Sequence, residues 1–163
     1  MKVCYPGTFD PITKGHLDII ERASKAFDQV VVLIMRNPRK RCLFSEEERV
    51  RQIEKCLQSA GLKNVEVKVG EGLTVQYARK IGANAMIRGI RAVSDYEYEL
   101  QIATANMELD EEIETIFLIA RPAYSFLSSS VVKEIGENGG EINDFMPEII
   151  VDEVLEKLRK KEG

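Results

Sequence analysis

The run Val30-Val31-Val32-Leu33-Ile34-Met35 constrains the fold more than any other part of this chain. A surface strand alternates apolar and polar residues, whereas this run has no polar face at all. Continuous apolar runs of this length belong to parallel strands covered on both sides by helices. Shorter runs repeat the pattern at Val3-Cys4-Tyr5, Ala85-Met86-Ile87 and Ile116-Phe117-Leu118-Ile119. Val65-Glu66-Val67-Lys68-Val69 does alternate, which predicts a half-buried or edge strand.

Amphipathic stretches fall between these runs. A first helix opens near Thr13, with Leu17, Ile20, Ala23, Ala26 and Phe27 on its apolar face. Ser45 and Glu48 stand at capping-box spacing ahead of a stripe formed by Val50, Ile53 and Leu57. Leu73 to Ile81 forms a third helix stopped by Gly82, and Asp95 to Leu109 a long fourth. Another starts at Ser128–Ser130, and Pro147 opens a last one through Leu155 and Leu158. The alternation predicts an α/β fold, a doubly wound parallel five-stranded sheet with helices on both faces. At 163 residues, with no repeat or linker, the chain reads as a single domain over 1–163.

A net charge of −4 argues against a general nucleic-acid binder. Cys4, Cys42 and Cys56 are an odd count without Cys-x-x-Cys spacing, so neither a disulfide framework nor a structural zinc site is expected. The first residues lack the apolar core of a signal peptide, and no apolar run approaches the ~18 residues of a membrane span. These features predict a soluble cytoplasmic protein with no membrane or nucleic-acid partner.

In sheets of this kind, ligands bind beyond the carboxyl ends of the strands. Three polar segments fall there. Residues 6–16 follow the first strand, which breaks at Pro6-Gly7, and place the only histidine, His16, in the first turn of a helix. A helix start offers unpaired N–H groups and a positive dipole end, which suit phosphate. Arg36, Arg39, Lys40 and Arg41 crowd a second loop, either solvated or closing over an anion. Arg88-Gly89-Ile90-Arg91 suits a polyphosphate clamp, and salt bridges to Asp95, Glu97 or Glu99 are the competing explanation. Ser128, Ser129 and Ser130 at a helix start suit either capping or phosphate.

The familiar Gly-rich phosphate loops are absent, Gly70-Glu71-Gly72 reads as a turn, and no Gly-x-Ser-x-Gly elbow supports a serine nucleophile. The acidic run 108–114 reads as a solvated helix end. One histidine without a carboxylate cluster predicts no protein-held transition metal, while Mg²⁺ arriving with a nucleotide stays open.

Thr13-Lys14-Gly15-His16 behind Tyr5-Pro6-Gly7-Thr8-Phe9-Asp10-Pro11 resembles the signature of the nucleotidylyltransferase superfamily. Ile87 to Glu99 and Ser125 to Lys133 resemble later signatures of one member, the bacterial phosphopantetheine adenylyltransferase family, and the likeness runs nearly end to end. The resemblance implies a Rossmann-like nucleotidylyltransferase fold. It also implies transfer of an adenylyl group from ATP, with Mg²⁺, to 4′-phosphopantetheine. The products would be dephospho-coenzyme A and pyrophosphate, by in-line attack without a covalent intermediate. It further implies a homohexamer and feedback inhibition by coenzyme A.

By the same resemblance, His16 binds the nucleotide phosphates and stabilises the transition state, while Lys40 and Arg88 hold the phosphopantetheine phosphate. Thr8 and Phe9 contact ATP, with Thr8 also near the acceptor phosphate, and Thr74 lines the pantetheine arm. Gly89, Ile90, Arg91 and Glu99 hold the nucleotide. Tyr124, Ser125, Phe126, Leu127, Ser128, Ser129 and Ser130 cradle its adenine and phosphates. A related nucleotidylyltransferase with another acceptor and a non-catalytic nucleotide-binding module are the rival readings.

Overall fold

A computed structural model describes residues 1–161. Strands β1 (Lys2–Gly7), β2 (Gln29–Met35), β3 (Val65–Gly70), β4 (Ala85–Ile90) and β5 (Glu114–Ile119) form one sheet in the order β3-β2-β1-β4-β5. Every pairing is parallel. Helices α1 (Lys14–Ala26), α2 (Glu46–Ser59), α3 (Thr74–Lys80), α4 (Val93–Leu109), α5 (Ser129–Glu137) and α6 (Val151–Lys161) flank it. This is the doubly wound parallel α/β sheet that the apolar runs predict, with Val65–Gly70 at an edge.

The unbroken run in β2 has the expected cause. Val30, Val32 and Ile34 join Val3 and Tyr5 of β1 in a buried cluster with Ile19, Ile20 and Ala23 of α1, Ile53 and Leu57 of α2, and Leu158 of α6. Val31 and Leu33 face the other way, onto Val75 and Ala78 of α3. On α1 the buried stripe is rotated slightly from the sequence reading: Ile19 is inside, while Ala26 is exposed near the helix end. Helix α4 is the most exposed of the six, with only Glu99 and Ala103 buried along its 17 residues.

Two strands run further than their apolar cores suggest. β1 continues through Pro6 to Gly7, and β4 through Arg88 to Ile90, so neither segment is the loop that the sequence reading makes of it. β5 explains the second extension, because it pairs with β4 as far as Ile90↔Ile119. The first is possible because β1 stays paired with β2 through Gly7↔Ile34, while its pairing with β4 ends at Cys4↔Met86. The Pro6 carbonyl faces β4, where it accepts Arg88 Nη1 at 3.0 Å. The N–H that proline lacks would have pointed into the same gap, so no ladder bond is lost. The sheet therefore splits between β1 and β4 at its carboxyl end. That split is where strand order reverses, the place for a ligand in an open α/β sheet.

Candidate active site

The turn after β1 forms one wall of the split. Phe9 has φ of +49°, a left-handed conformation rarely adopted by a non-glycine residue. Its ring packs edge-on against Tyr5 at 5.3 Å and His16 at 5.0 Å between centroids, which fixes the turn. Gly7 is required here, since a Cβ would lie 2.9 Å from the Phe9 ring.

His16 is held by the start of its own helix. Thr13 caps α1, its hydroxyl accepting from the His16 N–H at 3.3 Å, and the Thr13 N–H donates to His16 Nδ1 at 3.0 Å. A ring nitrogen that accepts an N–H carries no proton, so in the neutral ring the proton sits on Nε2. Burial, and secondarily the positive charge of Arg91, push the imidazole down to about 4. At neutral pH His16 is thus an uncharged ring presenting Nε2–H as a donor.

The first turn of α1 is less open than a bare helix start. Lys14 N–H bonds Phe145 O, and Leu17 N–H bonds Thr13 O. With His16 N–H taken by Thr13, the Gly15 N–H is left for a ligand. Helix α5 adds to this. Ser128 caps it by accepting from Val131 N–H at 3.1 Å, and Val132 N–H bonds Ser128 O. The Ser129 and Ser130 N–H groups are left over at that helix start. The Ser129 hydroxyl is committed to Pro11 O at 2.7 Å.

Both arginines of the β4 block are paired, as the salt-bridge alternative requires. Arg88 Nε and Nη2 each meet a Glu99 oxygen at 2.7 Å. With Nη1 on Pro6 O, two of its five N–H groups stay uncommitted. Arg91 Nε meets Asp95 at 3.0 Å, and its Nη1 reaches Leu127 O at 2.9 Å. Of the basic loop, Lys40 enters the site, with Nζ 3.0 Å from Thr8 Oγ1, whereas Arg36 is turned away to Glu46 and Glu71.

Two adjoining cavities, of about 220 and 720 Å³, fill the split. The smaller is lined by Phe9, His16, Arg88, Gly89, Arg91, Glu99, Tyr124, Leu127 and Ser128. The larger adds Thr8, Lys40, Thr74, Ser129 and Ser130. Ile90, Ser125 and Phe126 line neither: Ile90 is buried at the strand end, Ser125 donates to Pro122 O, and Phe126 packs on Phe145. A groove of about 960 Å³ beside α5 and α6 is larger than either, but Lys157, Lys160 and Lys133 within it are each paired with a carboxylate.

The cavities also include residues that the sequence reading passed over. Tyr5 reaches the smaller one from the sheet, and Tyr98, Ile102 and Asn106 line the larger from α4. Four-residue spacing along α4 from Tyr98 was the available signal for those three.

The model of the cytidylyltransferase-like family matches residues 4–135, from within β1 to within α5, the stretch that holds the split and its walls. In class, then, this is a nucleotidylyltransferase. A phosphopantetheine adenylyltransferase of Alkaliphilus metalliredigens is 50% identical over 99% of both chains. One of Finegoldia magna is 48% identical over 98% of both. The chain belongs to the phosphopantetheine adenylyltransferase family. Among solved structures, a Plasmodium falciparum nicotinic acid mononucleotide adenylyltransferase complexed with NaAD superposes with a TM-score of 0.67 at 15% identity, covering 99% of this chain and 96% of that one. A bifunctional enzyme of Francisella tularensis, complexed with AMP and a manganese ion, gives 0.66 at 16%, covering 99% of this chain and 52% of its own.

Proposed function

We propose that this single 163-residue domain transfers the adenylyl group of ATP to 4′-phosphopantetheine in one in-line step, giving dephospho-coenzyme A and pyrophosphate. The observation that carries the reading is a split sheet with two anion seats and, among the described residues, no activated nucleophile. Lys40 and the uncommitted N–H groups of Arg88 make one seat, and the amides of Gly15, Ser129 and Ser130 with Arg91 make the other. His16 lines both cavities between them.

The acceptor phosphate lies against Lys40, Thr8 and Arg88, with the pantetheine arm running toward Thr74. The triphosphate lies across the starts of α1 and α5, where helix dipoles and free amides favour anions. Tyr124 and Leu127 border the adenine end. An acceptor oxygen then attacks the α-phosphorus, the bond to the bridging oxygen breaks, and pyrophosphate leaves. Charge grows on the non-bridging oxygens during this step, and His16 Nε2–H is the donor aimed at it. Rate comes from bringing two anions together and screening their repulsion.

The side chains near His16 support direct transfer. Thr13 has the hydroxyl closest to the imidazole, but it is 1% exposed and spent as the helix cap. Cys4, on the opposite face of the sheet with Val31 and Leu33, is fully buried, and burial pushes its thiol up to about 12. Among the described residues no group of three His, Cys, Asp or Glu side chains could hold a metal ion, which fits Mg²⁺ entering as Mg·ATP with phosphates and water as its ligands. Pyrophosphate release from ATP tests the acceptor. Release is expected with 4′-phosphopantetheine and not with nicotinamide mononucleotide; the reverse would overturn the reading.

Coenzyme A, which carries the same arm and adenylyl group as the product, competes for this cleft as a feedback inhibitor. Three thiols without a disulfide partner suit the reducing cytoplasm. A homohexamer accounts for α4, where Tyr96, Tyr98, Leu100, Met107 and Leu109 are exposed alongside Ile119 of β5. The number six is what the family resemblance implies. Sedimentation at six chain masses is expected, and Leu109→Glu should shift the protein to smaller species.

A further inference from the structure

We propose that Asp10 is a positioning residue for this reaction: it clamps the 36–44 loop onto the turn after β1 and thereby holds Lys40 over the acceptor phosphate. The inference rests on the reading that Lys40 contacts that phosphate.

Asp10 is 3% exposed, and its carboxylate accepts three hydrogen bonds. Oδ2 takes the Leu43 N–H at 2.8 Å and Oδ1 the Phe44 N–H at 2.9 Å. Lys133 of α5 supplies the third at 3.1 Å and neutralises the charge. The opposite bond is made as well. Arg49 of α2, itself 5% exposed, donates Nη1 to Thr8 O at 2.8 Å and Nε to Ser45 O at 3.3 Å. Turn and loop are thus joined on both sides of Phe9.

The loop needs such a fastening. At its first end Arg36 N–H bonds Gly70 O at 2.8 Å. Between the ends, Lys40 N–H and Arg39 N–H both return to Asn37, which makes a local turn without tying it to the sheet. Lys40 then meets the site through Thr8 Oγ1. A lysine on a four-carbon stem stays at a subsite only if its backbone is fixed. Asp10 supplies that fixation where the loop ends, two residues from Thr8 itself.

Asparagine is a sharp probe of the clamp. It keeps the shape, but one of its two terminal atoms becomes an NH₂ that faces a donor and cannot accept. In the full-length enzyme, Asp10→Asn is expected to raise KM for 4′-phosphopantetheine about tenfold or more, with KM for ATP changed less than about twofold. Amide exchange should quicken at Leu43 and Phe44 and not in β2. In a Lys40→Ala background Asp10→Asn should add less than about twofold, because the side chain it positions is gone.

If Lys40→Ala alone leaves KM for 4′-phosphopantetheine unchanged, the assignment of the acceptor phosphate to Lys40 fails and the clamp falls with it. If Lys40→Ala raises that KM but Asp10→Asn raises both KM values alike, or acts in full in the Lys40→Ala background, the clamp alone is overturned. Should Asp10→Asn not fold, Asp10→Glu carries the test, since it keeps the charge for Lys133 but moves both oxygens off the Leu43 and Phe44 N–H groups. A rise in KM for 4′-phosphopantetheine alone supports the clamp; no rise, or an equal rise for ATP, overturns it.

Discussion

His16→Ala is expected to lower kcat by on the order of 10²- to 10³-fold while ATP binding stays measurable, the loss typical of one donor aimed at developing negative charge. Thr13 holds Nδ1, so the ring has one donor to offer and one direction in which to offer it. The imidazole is pushed down to about 4 by burial and by Arg91, so that donor is already neutral in the free enzyme at working pH. His16 should therefore contribute no limb to kcat/KM near the ordinary histidine value of about 6.5, and any limb there set by the substrates' phosphates should persist in His16→Ala. A limb near 6.5 that vanishes in His16→Ala would mean a general base, and unchanged kcat would remove His16 from the mechanism.

The same depression has a stability consequence. Between about 4 and 6.5 the unfolded chain binds a proton at His16 that the folded chain does not. The contribution is fully present above pH 6.5 and is lost as pH falls through the window to about 4. Its size is of order 3 kcal/mol, measurable as a shallower acid slope of unfolding free energy in His16→Ala.

The sheet was legible because its parallel strands are buried on both faces, and burial on both faces removes the polar half of the pattern. The strand ends were not. Pro6 and Arg88 read as the end of apolar structure, yet each belongs to a strand because a neighbour on one side continues the ladder. Strand length at a split sheet is set by that neighbour, which local sequence does not reveal. For the site, spacing and charge located His16, Lys40 and the β4 arginines. Asp10 went unremarked because its partners are two backbone N–H groups some 34 residues away and a lysine 123 away. Backbone donors carry no residue-type signature. Tyr98, Ile102 and Asn106 were hidden for another reason: α4 is apolar on several sides, so its stripe toward the cleft does not stand out from the one it exposes.

Arg88→Leu is expected to cost about 3 kcal/mol of stability and nearly all activity, whereas Arg88→Leu with Glu99→Leu should recover most of the stability and none of the activity. Glu99 is a buried carboxylate whose two oxygens each meet Arg88 at 2.7 Å, with its side chain 10% exposed. Removing the arginine leaves that charge without a partner and only partly reached by solvent from the cleft, the costly half of breaking a buried pair. Removing both leaves apolar groups in place of the pair, which buried sites tolerate far better. Activity follows the arginine alone, through the N–H groups it has left after binding Glu99 and Pro6 O. Glu99→Gln separates two roles for the carboxylate. If Glu99 orients Arg88, the loss falls on KM for 4′-phosphopantetheine; if Glu99 instead holds the nucleotide, it falls on KM for ATP and Arg88 keeps its effect undiminished in the Glu99→Gln background. Chemical denaturation of the single and double variants settles the stability half. A double variant as unstable as Arg88→Leu would mean that the arginine supports the fold through Pro6 and the split between β1 and β4, not through the glutamate.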